Sequence, residues 1–453
     1  MIRFTQTRHT PRLDPEIERS AAWVDDYFAR VSPYIFVRVE DNLLIKRPNQ
    51  AQKLNTTGAT ILKALLDRTP AASILQLLHD DVARQRQVCA FLWAVRQWID
   101  GDLNELNAPS DTVEIRPLPL QFSKLPVLAE IALTYRCNLR CRFCYAGCNC
   151  TANPTGDSTE MTTPQVRKVL TRIFREGEVP SISFTGGEPT LRPDLPSLIQ
   201  FAKQLGMRVN LITNGTQIDR GMADTLANAG LDSAQVSLEG VTAEVHDGIT
   251  QVPGSFAASL AGVRALAAAG IRVHTNTTLN RLNRHEAERF PAFVKQTLQR
   301  ERFSMNMVIP AGSATQDAAL VIRYSEIGTI LEQVQQASRE ADVEFMWYSP
   351  TPVCMFNPII KGLGNKGCSA CDGLISVGAN GDVLPCSSYN DPVGNLLTQT
   401  LKTVWFSQRA RNYRAKAEAP AVCQTCEHLN VCHGACPLYW RAMGCSELEA
   451  GSQ

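Results

Sequence analysis

Cys137, Cys141 and Cys144, separated by three and two residues and followed by Tyr145, are the residues here with the most distinctive chemistry. A cubane iron–sulfur cluster has four irons and normally takes four cysteine thiolates, so a group of three leaves one iron open to an outside ligand. Zinc is the alternative, since such a loop usually closes with a fourth Cys or His, and Cys148 and Cys150 stand close enough to supply it. A second concentration of cysteine lies downstream: Cys354, Cys368, Cys371 and Cys386, then Cys423-x2-Cys426-x5-Cys432-x3-Cys436, then Cys445. A CxxC pair by itself would suggest zinc.

The chain has fifteen cysteines in 453 residues, more than packing needs, and they come in clusters with none between Cys150 and Cys354. Disulfide staples would more often spread across the fold, so metal ligation in a reducing compartment is the better reading. A formal charge of +1 gives no broad attraction to nucleic acid or membrane. The N-terminus lacks an apolar targeting core and no apolar run reaches about eighteen residues. The sequence therefore reads as soluble and cytoplasmic, with no nucleic-acid and no membrane partner.

What must position the thiols is a set of alternating strands and helices. From about residue 128, short apolar strands near 128–134, 181–185, 208–212, 233–238, 271–278 and 303–308 alternate with amphipathic helices, as in a parallel sheet with crossover helices. Thr163 is expected to cap a helix with Pro164 at its first position, and Gly230 and Gly270 fall where helix ends need a left-handed residue. Six such units predict an α/β fold, an open, partial (β/α)6 TIM-type barrel. Functional residues of such folds lie beyond the C-terminal ends of strands, which is where the triad follows the first strand. After the second strand comes Gly186-Gly187-Glu188-Pro189. Its glycines permit close backbone approach to a ligand, and its carboxylate and carbonyls can accept from an ammonium. Thr213-Asn214-Gly215, Ser237-Leu238-Glu239-Gly240, Asn276 with Thr278, and Pro310-Ala311-Gly312 follow the later strands as a polar cavity wall.

Upstream, Ile35, Val37 and Val39 alternate as a strand, Glu40-Asp41-Asn42 reads as a hairpin turn, and Leu43, Leu44 and Ile45 return. Leu54-Asn55-Thr56-Thr57-Gly58 then opens the first of three helices, the last bearing Cys89 on an apolar face. This predicts an α+β, winged-helix-like domain over 30–105. Residues 106–127 carry four prolines and read as an extended linker. The acidic tail Asp100, Asp102 and Glu105 argues against DNA binding.

The triad, its intervening residues and Tyr145, taken with Gly186-Gly187-Glu188-Pro189, resemble the motifs of the radical S-adenosylmethionine (SAM) superfamily. The resemblance implies a 4Fe–4S cluster on Cys137, Cys141 and Cys144 that binds SAM and cleaves it to a 5′-deoxyadenosyl radical. It also implies SAM contacts from Tyr145, Gly186, Gly187, Glu188, Pro189, Asn214, Ser237, Glu239 and Asn276. Many relatives have an arginine near the end of the segment His246 to Thr250; here Thr250 stands in its place, and that role is not carried over. The C-terminal cysteine order, with Gly381 ahead of Cys386, resembles the SPASM extension, which would hold two auxiliary clusters over residues 346–450. By position, Cys423, Cys426, Cys432 and Cys445 would ligate the outer one. Cys386 and Cys436 would ligate the inner one with two of Cys354, Cys368 and Cys371. Cys354 and Cys368 are favoured, because Cys371 falls where many relatives have glycine. The 30–105 segment resembles the small peptide-binding chaperone of pyrroloquinoline quinone biosynthesis, which implies that a leader peptide adds as a strand to its sheet edge. Together these imply a peptide maturase with its radical SAM core over 128–345, three iron–sulfur clusters, SAM, a precursor peptide or protein, and a one-electron donor such as flavodoxin or ferredoxin. Haem or other cofactor biosynthesis, and a non-catalytic cluster-bearing regulator or scaffold, stand as alternatives.

Overall fold

The computed structural model describes residues 13–48, 50–78, 81–101, 123–148 and 160–450. They form two compact units divided near residue 117. Among the described residues no helix is long and apolar enough to cross a membrane.

The N-terminal unit begins with two helices, α1 (Pro15–Ala21) and α2 (Val24–Val31), both of which start before the expected boundary at residue 30. Asp14 caps the first by accepting from Glu16 N at 2.8 Å, with Pro15 at its start. Both helices are short and rich in acids, so their periodicity is weak, yet Ile17, Val24 and Phe28 belong to the unit's core. Next come β1 (Ile35–Arg38), β2 (Leu43–Lys46) and β3 (Gln50–Lys53) in an antiparallel sheet of order β1-β2-β3. The turn between the first two falls where expected, closed by a fully buried Arg38–Asp41 pair at 2.8 Å. Helices α3 (Thr56–Leu66), α4 (Ala71–Gln76) and α5 (Val82–Asp100) complete it. Asn55 caps α3, its Oδ1 accepting from Gly58 N at 2.8 Å. Cys89 packs at the rim of this core, as its apolar face predicted. The strand β3 is an edge strand of this sheet and pairs in it with β2.

The larger unit holds the barrel. Its strands β4 (Leu128–Thr134), β5 (Ser181–Gly186), β6 (Arg208–Thr213), β7 (Ser233–Ser237), β8 (Arg272–Leu279) and β9 (Arg302–Met307) agree with the six predicted ones to within a residue or two. All pair in parallel in chain order. Helices α6 (Thr163–Gly177), α7 (Leu195–Gln204), α8 (Arg220–Asn228), α9 (Ala243–Thr250), α10 (Ser255–Ala268) and α11 (Phe290–Gln296) make the crossovers. Along β4 the buried Ala129, Ile131 and Leu133 join one core with Val166, Val169 and Ile173 of α6, which leaves Glu130 and Ala132 on the lumen face. Gly230 and Gly270 follow helix ends with φ of 93° and 80°, as expected. The cap of α6 is Thr162, one residue ahead of the expected Thr163: Gln165 Oε1 accepts from Thr162 N at 2.8 Å. Thr163 instead donates to Asp194 Oδ2 at 2.7 Å.

The sheet continues past the six strands on both sides. After α12 (Tyr324–Ala341), β10 (Glu344–Trp347) adds in parallel to β9. On the opposite side β11 (Leu374–Val377), from the cysteine-rich extension, pairs in parallel with β4, and β12 (Asp382–Leu384) and β13 (Gly394–Asn395) follow antiparallel. The resulting sheet has ten strands. The extension is thus built onto the barrel's first strand. The expected linker 106–127 lies outside the described residues except for its last five, where Lys124 O accepts from Trp405 Nε1 at 2.9 Å.

Candidate active site

The triad loop leaves the C-terminal end of β4 and is anchored on three sides. Gly187 N donates to Thr134 O at 2.8 Å and Glu188 N to Arg136 O at 2.9 Å. On the second side, Arg140 N and Arg142 N donate to the C-terminal carbonyls of α9, Thr250 O at 3.0 Å and Ile249 O at 3.1 Å. On the third, Ser313 N donates to Cys144 O at 2.9 Å, and Arg142 pairs with Asp317 at 2.7 Å. The glycines are demanded by this anchoring. A Cβ on Gly187 would lie 2.2 Å from Arg136 O, and one on Gly312 would lie 2.2 Å from Cys144 O. The sequence reading gave the close approach at Gly186-Gly187 to a ligand; in the structure it is the triad loop's own backbone that comes so near.

The three thiols are half-buried at the mouth of the barrel. Burial pushes Cys137 up to about 11, against donors Leu139 N at 3.5 Å and Asn214 Nδ2 at 3.9 Å on its sulfur. Burial also raises Cys141, with the Glu239 carboxylate adding to it. Cys144 moves the other way, because the Cys148 thiol hydrogen-bonds to it and backbone N–H groups of Cys148, Ala146 and Gly147 add to that. Cys148 is therefore packed against the triad; Cys150 lies outside the described residues.

Around the thiols stand the polar strand ends. Glu188 is fully buried, and both oxygens are occupied: Oε1 accepts from Thr190 N (3.0 Å), Thr190 Oγ1 (2.6 Å) and Thr213 Oγ1 (2.7 Å), and Oε2 from Asn214 N (2.8 Å). Four donors fill the acceptor capacity of a carboxylate, so Glu188 acts by fixing the Thr213–Asn214 turn. Asn214 in turn holds the triad loop, donating to Asn138 Oδ1 at 2.8 Å, while Asn138 donates to Thr216 Oγ1 at 2.7 Å. Asn138 and Thr216 escaped the sequence reading, although Asn138 follows the first triad cysteine directly. Tyr145 is enclosed, and its hydroxyl bonds Thr185.

Glu239 is buried, which pushes its carboxyl up to about 8. Its Oε2 accepts from Thr278 N at 2.9 Å, and Oε1 has no partner among the described residues. Its backbone N–H donates to His246 Nδ1 at 3.0 Å, which fixes that tautomer, and burial lowers His246 to about 4. The far nitrogen, His246 Nε2, is buried with no partner among the described residues. Ser237 and Asn276 are register partners on β7 and β8, and Asn276 bonds Asn306 (2.7 Å) and Ser304 (2.8 Å). His246 and the buried Glu286, which accepts from Val241 N at 2.7 Å, were not foreseen. A free carboxyl oxygen and a half-exposed Ser237 beside three thiols suit a small molecule with both ammonium and hydroxyl groups.

The C-terminal thiols form two groups. Cys368, Cys386 and Cys436 are mutual neighbours, and Cys371 lies beside Cys368. Cys423 neighbours Cys432, Cys354, Cys426 and Cys445. Cys354 has Cys432 and Cys426 of the outer group as its electrostatic neighbours, whereas the sequence reading favoured it for the inner one. Among the described residues no three Cys, His, Asp or Glu side chains converge as they would on a single ion. An all-thiol donor set suits an iron–sulfur cluster; the nearby His433 bonds Cys368 O through Nδ1 at 3.0 Å. Two clefts of about 470 and 750 Å³ are lined by other residues, one by Trp23 and Trp93 and one by Lys295 and Phe345.

Residues 131–294 match the radical SAM superfamily, and residues 368–427 match SPASM, an iron–sulfur cluster-binding domain. The chain is 30% identical over 323 residues to the AdoMet-dependent heme synthase of Oleidesulfovibrio alaskensis, covering 67% of this chain and 80% of that one. It is also 30% identical over 329 residues to the PqqA peptide cyclase of Xanthomonas euvesicatoria, covering 69% and 82%. In fold it is similar to Streptococcus suis SuiB bound to the precursor peptide SuiA, with a TM-score of 0.65 at 17% identity over 90% of this chain and 95% of that one. The chain belongs to the radical SAM superfamily and carries a SPASM extension. It is accordingly a radical SAM enzyme whose cofactors are SAM, a SAM-binding iron–sulfur cluster and auxiliary clusters in the extension.

Proposed function

We propose that the enzyme oxidises or crosslinks a ribosomally made peptide or protein. The observation that carries this reading is the N-terminal unit, a three-stranded antiparallel sheet of order β1-β2-β3 followed by three helices, joined to the barrel in one chain. An extended leader adding alongside β3, an edge strand of that sheet, would be β-augmentation. The PqqA peptide cyclases among the relatives, and the fold shared with a precursor-peptide complex, support the same substrate class.

In this reading Cys137, Cys141 and Cys144 hold the SAM-binding cluster. Ser237 and Glu239 receive the hydroxyl or charged groups of SAM, Tyr145 and the Gly186-Gly187-Glu188-Pro189 turn close the site beside them, and Asn214 and Asn276 hold its walls. Cys368, Cys371, Cys386 and Cys436 hold the inner auxiliary cluster, and Cys423, Cys426, Cys432 and Cys445 the outer, with Cys354 at its edge. The loaded site supplies one-electron cleavage of SAM to a 5′-deoxyadenosyl radical, fed by a donor such as flavodoxin or ferredoxin in the cytoplasm. The residues around it keep water out: Tyr145 is enclosed, and Glu188, Glu239 and Glu286 satisfy backbone N–H groups that solvent would otherwise reach.

A haem-type substrate is the second reading, favoured by the heme synthases among the relatives. Anaerobic co-expression of the full chain with each neighbouring small open reading frame, followed by mass spectrometry, separates the two. A peptide lighter by a hydrogen pair supports the first; unchanged peptides together with turnover of SAM on a tetrapyrrole carboxylate overturn it.

A further inference from the structure

The barrel lumen contains a carboxylate that the reading above does not use. Glu130 lies on β4 between the fully buried Ala129 and Ile131, so it faces inward. Its register partners are Ser183 on β5 and Ser376 on β11. The same polar layer continues through Asn210 and Ser233, whose side chains link at 2.6 Å. Ser376 Oγ donates to Glu130 Oε1 at 2.5 Å, and Ser387, next to Cys386, donates through its hydroxyl and its N–H. No basic side chain pairs with Glu130 among the described residues. Three donors leave one of about four carboxylate acceptor sites open, and the residue is half-buried. It stands within electrostatic reach of both Tyr145, beside the triad, and Cys386 of the inner group. Burial raises its carboxyl above the ordinary 4.5 while the serine donors pull it back, toward the range where a carboxylate serves as a base at neutral pH.

We infer that Glu130 is the base that takes the proton released when the substrate is oxidised. This rests on the peptide reading and supplies what that reading lacks. One C–H bond and one N–H, O–H or S–H bond of the substrate break, and one bond forms between the two heavy atoms. The hydrogen atom goes to the 5′-deoxyadenosyl carbon, the leftover electron to the inner iron–sulfur cluster, and the proton to Glu130. The substrate loses two electrons, one with the hydrogen atom and one to the cluster. Placement between the two sulfur groups puts the proton acceptor where the electron also leaves.

The test uses the holoenzyme, dithionite, SAM and the peptide encoded beside the gene, following 5′-deoxyadenosine and modified peptide separately. In E130Q, which keeps the size and an acceptor oxygen, modified peptide should fall by about 100-fold or more while 5′-deoxyadenosine changes by less than about threefold. A parallel fall in both, or none in either, overturns the inference. If E130Q fails to load iron, S376A decides: losing a donor to the carboxylate should move the acid limb of the pH–rate profile up by about one pH unit, and an unmoved limb overturns the inference. Product absent from the wild type removes the peptide reading and this inference with it. Product from the wild type and E130Q alike removes this inference alone.

Discussion

Lys416 offers a test of the inner thiol group that reads charge directly. Its ammonium is buried, donates to Cys368 O at 2.8 Å, and pairs with Asp372 at 3.0 Å. The lysine favours the Cys368 thiolate and Asp372 opposes it. Taking a charge-to-charge separation on the order of 7 Å and an effective dielectric constant of about 20, one charge contributes roughly 2.4 kcal/mol. At 59 mV per tenfold for one electron, that is roughly 100 mV. Reduction adds negative charge, so K416M, which strips the cation and leaves Asp372 unpaired, should lower the inner cluster's potential by up to about 100 mV. D372N should raise it by a smaller amount. The assay is a potentiometric titration followed by electron paramagnetic resonance, in a background where the triad is changed to alanine so that only auxiliary signals remain. Shifts of the same sign in both variants, or shifts below about 10 mV, would refute the reasoning, because a merely structural pair has no cause to move the potential in opposite directions.

Other outcomes follow from named contacts. G187A places a Cβ 2.2 Å from Arg136 O; overlap of that size costs roughly 1–3 kcal/mol or more, and the purified protein should lose the triad's iron while keeping auxiliary iron by chemical assay. C371S should remove the inner cluster's signal and C354S should leave it, the reverse of the sequence-based preference. Glu239 gives a pH dependence with a definite sign. Its folded value of about 8 lies above the ordinary 4.5, so its contribution to stability is full below 4.5 and is lost as pH rises to 8, at most about 5 kcal/mol. Melting of the apo-protein should therefore drop more between pH 5 and 9 in the wild type than in E239Q. N214A, which frees Asn138, should loosen the triad loop and slow SAM cleavage about tenfold without lowering auxiliary iron.

The barrel strands were legible because each is a short apolar run bounded by glycine or a capping residue, and parallel strands buried on one side by helices leave that pattern. The triad and its glycine turn were legible because thiols and glycines have few substitutes. What stayed hidden was of two kinds. Helices α1 and α2 are seven and eight residues long, with too few apolar positions for a period to stand out. The roles of Glu188, Glu286 and Asn138 are set by long-range hydrogen bonds such as Val241 N to Glu286, and no local spacing records a partner 45 residues away.

The placement of Cys354 shows the same limit in its sharpest form. Cysteine order along the chain prescribes which thiols are available, but the parallel pairing of β11 with β4 decides which come together. Cys368 and Cys371 immediately precede β11, and Cys386 follows β12, so the register Ser376 to Glu130 carries those three to the wall of the barrel. Cys354 comes before that strand, at the end of a segment running on from β10 on the opposite edge of the sheet. One sheet register thus joins the inner thiols to the lumen face and leaves Cys354 with the outer set. The same register puts Ser376 beside Glu130, so the inner thiols and the carboxylate proposed as the base are held against β4 by the same strand pair.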